Sequence, residues 1–400
     1  MIPPAFRPVL AIPNGWRLVL ASVAGRLPIT FTSLATVLLV REQAGSFATA
    51  GIVASAEAVG AAVTTPLQGR LIDRRGQPGI LIPLALGNAA GLLLLAGAAV
   101  AGAPTAVLVA CGLVAGACLP PLGACIRTIW SARLPGDVVD TAYSLEAILT
   151  EVMFVTGPLL ATALFVLASP AAALVAAAAL AVGGTLAFAT TRVARDWRSD
   201  RAAHSGGWAL SSPGMRTAIA AGVCTGVTFG AVEVALAAFA RAHGRASVAG
   251  LFLAAMALGS MAGGLWYGTR QWRGPAARRY LLFLALLSAG LALLLLADSI
   301  AVMAALALLA GIPIAPAAAC LYRIVDDVAP AGMMAESFTW LSTSVVVGAA
   351  AGTAIAGPVV QDAGDRAALA IPAAAAAIGA LLVAARRASL APAGAMVGPT

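Results

Sequence analysis

The sequence predicts an all-α membrane protein with twelve transmembrane helices in two pseudo-symmetric six-helix bundles. Three observations carry this. Hydrophobic residues are 61% of the 400 and charged residues only 10%, with a mean hydropathy of +0.97. A soluble domain carries about 25% charge because its surface faces water. The apolar residues also come in runs of about 20, enough to cross a bilayer as helix, rather than in the short alternating segments of a transmembrane barrel. Finally, the chain echoes itself. Ala50-Gly51 through Gly69 aligns with Ala249-Gly250 through Gly268 at an offset of 199, which puts Gly51, Gly60 and Gly69 on Gly250, Gly259 and Gly268. Cys125 and Pro135 match Cys320 and Pro330 at 195, and Ala142 and Ser144 match Ala335 and Ser337 at 193. Loop insertions and deletions produce such drift, and halves of this kind often frame a central site in membranes.

The spans follow in order. The first, 16–40, comes after a Pro-rich segment, Met1 to Asn14, that lacks a cleavage pattern, so this span is expected to be retained. Spans two and three, 46–69 and 79–100, flank the loop Asp73-Arg74-Arg75-Gly76. Spans four and five, 104–130 and 141–167, flank Pro135-Gly136, and span six, 170–191, follows the tight turn Ala168-Ser169-Pro170. Spans seven and eight are 215–240 and 246–269. Span nine, 279–298, follows the loop Trp272-Arg273-Gly274, and span ten, 300–323, begins after Asp298-Ser299. Spans eleven and twelve are 335–360 and 366–386. The division is therefore an N-terminal bundle, 1–191, a linker, 192–214, and a C-terminal bundle with a short tail, 215–400.

All 24 basic residues are arginine. With the N-terminus in the cytoplasm, 19 of them fall on the cytoplasmic side and four, Arg41, Arg241, Arg245 and Arg366, on the outer side. This is the asymmetry of a correctly oriented membrane protein, and it places both termini inside. The arginines sit in short loops, so no patch follows a phosphate backbone and no nucleic-acid partner is expected. The longest polar stretch, Arg192 to Gly214, contains Arg195, Asp196, Arg198, Asp200, Arg201 and His204 and reads as a cytoplasmic linker.

Cys111, Cys118 and Cys125 are spaced seven apart within an apolar run and suggest a packing seam on one helix face, not a disulfide framework or metal cluster. Both histidines, His204 and His243, fall in loops. There is no Walker A loop and no catalytic constellation, so neither ATP hydrolysis nor another enzyme activity is expected, and no cofactor or metal is implied. Trp16, Trp130 and Trp272 sit at predicted interfaces as anchors. Trp340, within span eleven, either reaches the interior or packs on a neighbouring span.

The loop after span two reads Gly69-Arg70-Leu71-Ile72-Asp73-Arg74-Arg75-Gly76. It resembles the G-x-x-x-D-R-x-G signature between helices 2 and 3 of the major facilitator superfamily, and departs at Gln77 and Pro78, where basic residues are usual. The second copy keeps Gly268, Arg273 and Gly274 but has Trp272 in place of the acid. The resemblance implies a conformational latch made by Gly69, Asp73, Arg74, Arg75 and Gly76. Physically, Gly69 lets helix ends approach. Asp73 suits a helix N-terminus or a neighbouring arginine. The alternative is a charged loop that only sets topology. Gly157-Pro158 in span five, and Gly348, Gly352, Gly357 and Pro358 in span eleven, weakly resemble the family's antiporter signature; they equally suit close-packed, kinked helices.

A charge at the bilayer centre costs about 2.5–3.5 kcal/mol, so each needs a reason. Arg26, Glu57 and Glu151 fall near the middle of spans one, two and five, and Glu233 in the outer half of span seven. The resemblance implies that these spans line a central cavity. Arg26 and Glu151 are expected to pair at similar depth, which leaves Glu57 over. A carboxyl without a partner in apolar surroundings favours its neutral form, as proton coupling requires. Glu57 or Glu151 is the candidate coupling group; the alternative is that all are structural. Arg127 and Glu146, symmetric about Pro135-Gly136, are expected to form a structural or gating ion pair. Glu336 reads as a helix-start charge.

The expected function is secondary active transport of a small organic molecule by alternating access, as proton-coupled efflux. The alternatives are a proton-linked nutrient importer and a non-transporting scaffold or receptor. The partners expected are substrate, protons and the lipid bilayer, for a monomer in the cell (inner or plasma) membrane.

Overall fold

In the computed structural model, which describes residues 3–199 and 207–391, eleven continuous segments are long and apolar enough to cross a membrane. They are α1 (Gly15–Gln43), α2 (Phe47–Arg75), α3 (Pro78–Val100), α4 (Thr105–Arg133), α5 (Gly136–Leu167), α6 (Pro170–Ala189), α7 (Pro213–Ala242), α8 (Ala246–Gly268), α9 (Ala276–Leu296), α10 (Ile300–Val328) and a last segment, Met334–Ala385. That last segment has 52 residues, and straight helix of that length would run about 78 Å, more than twice the hydrocarbon thickness. Gly364, at φ 84° and ψ 178°, breaks it. The result is α11 (334–363) and α12 (365–385), which matches the twelve spans read from the sequence. Serine side chains cap the starts of α2, α6, α7 and α10, where Ser46, Ser169, Ser212 and Ser299 accept from backbone N–H groups.

Three spans are interrupted. α1 passes through a 3₁₀ turn, Leu27–Thr30, around Pro28, which has no N–H to donate. α4 is two helices, Thr105–Ala117 and Leu122–Arg133, parted at Pro120-Pro121. The seam expected along Cys111, Cys118 and Cys125 is therefore broken, with Cys125 on the second piece. The carbonyls freed by the break find donors: Asn88 Nδ2 reaches Ala115 O at 2.7 Å, and Gln68 Nε2 and Thr64 Oγ1 reach Ala117 O at 2.7 and 2.9 Å. α10 is parted likewise, at Ile312-Pro313, between Ile300–Gly311 and Ile314–Val328.

The internal repeat is a packing repeat. A Cβ on Gly60 of α2 would lie 2.5 Å from Leu113 O of α4, and one on Gly259 of α8 would lie 2.0 Å from Leu308 O of α10. The two glycines are 199 apart and their two contacts 195 apart, the same drift as in the sequence. Glycine is needed at both points because the backbones touch.

The buried core has three parts. One, from Phe31 to Ala178, is drawn only from α1–α6. A second, from Val232 to Ala376, is drawn only from α7–α12. The third joins both halves, for example Ile72, Trp130 and Tyr143 with Tyr267, Cys320, Val328 and Phe338. It lies at the end of the helices that carries the 192–214 linker. At the opposite end each half keeps its own core. Trp130, expected as an interfacial anchor, lies wholly inside the shared core. Trp16 is 59% exposed at its helix start, as an anchor would be.

Candidate functional site

Arg26 sits where α1 turns, and both it and Glu146 are buried, at 7% and 0% exposure. Arg26 Nη1 donates to Glu146 Oε2 at 2.8 Å and Nη2 to Thr150 Oγ1 at 3.1 Å. This corrects the expected Arg26–Glu151 pair. The reason is helical phase. Thr150 lies four residues after Glu146 and shares its face, whereas Glu151, five residues on, is turned about 140° away. Gly123 leaves room for the guanidinium, since a Cβ there would be 3.3 Å from it.

Glu151 instead accepts from Ser260 Oγ at 2.8 Å, a bond from α5 across to α8. Glu57 has one long contact, from Thr36 Oγ1 at 3.5 Å. Its backbone lies against Gly116, where a Cβ would be 1.8 Å from Glu57 O, so the small residue sets its height against α4. Glu233 is exposed on α7 and has no hydrogen-bond or ion-pair partner among the described residues. It lies seven residues after Gly226 and so on the face by which α7 meets α11 at Val345 and Gly348.

The second layer closes the linker end. Asp73, buried at the end of α2, accepts from the N–H groups of Ala335 at 3.0 Å and Glu336 at 2.8 Å. These are two of the donors left free at the start of α11. Of the two expected partners, the helix terminus is the one found. Gly69 makes the approach possible, because a Cβ there would lie 2.2 Å from Thr339 Oγ1 and 2.8 Å from Ala335 O. Gly76 turns the chain at φ 86°. Arg74 and Arg75 are exposed beside it. Gly69→Val is expected to cost this joint about 1–3 kcal/mol. It should be seen as faster reaction of a Thr339→Cys thiol, buried here, with a water-soluble maleimide.

Glu336 is buried at the helix start and accepts from Ala209 N, in the returning linker, at 3.0 Å. Arg70 lies over the Trp208 ring at 4.2 Å. The linker residues Asp200, Arg201 and His204 lie outside the described residues. Arg127 does not pair with Glu146, contrary to expectation. Its guanidinium lies 3.8 Å from the Tyr322 ring centroid and 5.9 Å from that of Phe338, a cation–π contact between halves. Glu146 is already held by Arg26, and matching depth about a turn does not make two side chains face each other.

The layer also holds residues that sequence reasoning missed. Arg279 Nη1 of α9 donates to Asp140 Oδ2 of α5 at 2.7 Å and to Tyr267 OH at 2.8 Å. Ser131 donates to Asp326 across the halves. Thr141 and Ser144 of α5 donate to the carbonyls of Gly268 and Gly264 in α8 at 2.9 and 2.6 Å. Asp140 falls one residue before the span read from the sequence, and Arg279 counted only towards topology. An acid and an arginine at span starts on one side were the available signal. The second loop lacks the acid, and Trp272 stacks on Tyr267 at 4.8 Å instead. Trp340 is half-buried, and its Nε1 has no partner among the described residues.

No protein-family model matches the chain, and no curated protein does. Solved structures do. The human organic anion transporter MFSD10 (TETRAN) is similar with a TM-score of 0.72 at 17% identity, covering 96% of this chain and all of that one. FucP, an E. coli fucose:proton symporter, is similar at 0.71 and 15%, and a second structure of FucP, described as a major facilitator superfamily transporter in the outward conformation, at 0.70 and 15%, each covering 92% and 98%. A bacterial homologue of the iron transporter ferroportin, in an outward-facing state, is similar at 0.72 and 14%, covering 93% and 99%. Each is a transporter by description. At these identities the likeness speaks to architecture, and with the paired glycine contacts and the joint at Asp73 it identifies the fold of this chain as that of the major facilitator superfamily transporters.

Proposed function

We propose that the protein is a secondary active transporter that moves a small organic molecule by alternating access, as proton-coupled efflux across the cell membrane. The observation that carries this is the division of the core, in which the halves share apolar packing and hydrogen bonds at the linker end and keep separate cores at the other. Bundles 1–191 and 215–400, joined by 192–214, would rock about a midplane site. The arginine asymmetry supports a cytoplasmic linker end, and on that reading the shared core seals the cytoplasmic side while the halves part on the outer side. Both termini are then inside. The gate comprises Gly69, Asp73, Arg74, Arg75, Gly76 and Arg127, and Glu146 acts by holding Arg26.

Glu57 and Glu151 are the coupling groups. Each lacks a basic partner, and the Glu151–Ser260 bond spans the halves, so its surroundings must change when they move. Arg26 fixes the turn of α1 beside them, and Glu233 faces the substrate path. Few charges line this region, which suits an apolar or drug-like compound. The protein acts as a monomer.

The test is uptake of labelled compounds into inside-out vesicles with an imposed pH gradient. Gradient-driven uptake is expected, and Glu57→Gln or Glu151→Gln should reduce it to the level without a gradient. Uptake indifferent to the gradient would remove proton coupling and leave the fold untouched. The fucose:proton symporter among the similar structures favours import as the second reading. Loss of a compound from expressing cells, as opposed to its accumulation, separates the two.

A further inference from the structure

Away from the carboxylates, an apolar groove of about 350 Å³ lies where α10 is interrupted, lined by Trp266, Phe283, Leu286, Ile312, Pro313 and Pro316. Trp266, Leu286 and Ile312 are 45%, 49% and 40% exposed, so it opens on the outer wall of the helices. Its rim at the linker end is basic. The Arg270 guanidinium stands 5.1 Å from the Trp266 ring centroid, and Arg273 and Arg278 are exposed in the loop and first turn of α9 that follow. Residues 266–286 contain no acid. The adjacent Asp140 is held by Arg279. In the first half, Leu67 stands at the position equivalent to Trp266, and the corresponding loop contains Asp73.

We propose that this groove and its arginines bind one anionic phospholipid, with an acyl chain along Trp266 and Pro313 and the phosphate at Arg270 and Arg273. Charge complementarity selects the occupant. A zwitterionic headgroup would bring an ammonium against three arginines, and a free anion would leave the apolar surface uncovered. A tryptophan at the boundary between the two suits a ligand with one wet and one apolar end. Each arginine strengthens binding of an anionic headgroup about fivefold.

The test uses the full chain in nanodiscs containing either phosphatidylglycerol or phosphatidylcholine with brominated acyl chains. The fluorescence of Trp266 is isolated as the difference between the native chain and Trp266→Phe. Quenching by the brominated phosphatidylglycerol is expected to be at least about fivefold more efficient than by the phosphatidylcholine. Arg270→Gln/Arg273→Gln/Arg278→Gln should abolish the preference, and the triple lysine variant, which keeps the charge and the topology signal, should retain it. Equal quenching by the two lipids would overturn the proposal and leave only bulk bilayer contact. So would a preference that survives the glutamine variant. Displacement by inorganic phosphate at matched ionic strength would reassign the arginines to a soluble anion and also overturn it.

Discussion

Arg26→Ala is expected to destabilise the folded protein by about 3–5 kcal/mol, the cost of leaving a buried carboxylate without its counter-charge. Glu146 is wholly buried, its Oε2 is taken by Arg26, and its Oε1 has no partner among the described residues, so no other donor stands ready to replace the guanidinium. The pair is shielded from water, with Arg26 and Glu146 only 7% and 0% exposed. Glu146→Ala should cost a similar amount, since the orphan is then a buried cation. Truncating both removes both charges together, so the double variant should be less damaged than the sum, with a coupling of about 1–3 kcal/mol. The measurement is a double-mutant cycle on thermal unfolding in detergent. An additive cycle would mean that the pair contributes nothing as a pair. Arg26→Lys should recover only part of the loss, because one ammonium cannot bond Glu146 and Thr150 with the geometry of the fork.

Most of the fold was legible because bilayer crossing imposes one strong rule, a run of apolar residues of fixed length, and arginine placement imposes another. Even the break at Gly364 follows from length alone. The internal repeat could be read as well, because glycines that let backbones touch leave few other choices of residue. At the site, legibility followed range. Asp73 was readable through a local motif, and its partner, a helix N-terminus, is a generic acceptor of negative charge. The partner of Arg26 was not, because depth along a helix was read without phase, and five residues turn a side chain to nearly the opposite face. Arg127 was misassigned by the same omission, its true contacts being rings contributed by the other half. Ser260 gave no signal, and the charges of Asp140 and Arg279 at span starts marked one side of the membrane without naming a partner. Their roles depend on how α5 meets α8 and α9, and no pattern within one span encodes that. The breaks in α4 and α10 had a signal that went unused: Pro120-Pro121 and Pro313 with Pro316 stand at equivalent places in the two halves.

Asp73→Asn is expected to shift the protein out of the linker-closed state by about 2 kcal/mol, roughly a thirtyfold change in the ratio of states. The carboxylate accepts two N–H groups from the start of α11, and charge-assisted bonds of this kind are about twice as strong as neutral ones. The amide keeps one acceptor oxygen and loses the charge that complements the helix terminus. The buried Glu336 carboxylate nearby repels Asp73, and relief of that repulsion offsets part of the loss, which is why the figure stays at the low end. The shift acts on conformation because α2 and α11 belong to opposite halves, and the bond must break for the linker end to open. Glu336 adds a second tie, holding Ala209 of the linker to the same turn, so release of α11 also releases the linker. The readout is the distance between fluorophores at positions 75 and 270, with the five native cysteines replaced by alanine. Asp73→Asn should enrich the longer distance and Asp73→Glu should not restore the shorter one fully, because the extra methylene misplaces the carboxylate between two fixed N–H groups. If both variants keep the distance distribution of the parent, Asp73 is only a helix cap, and the closure resides in the Arg279–Asp140 and Ser131–Asp326 contacts on the other side of the shared core.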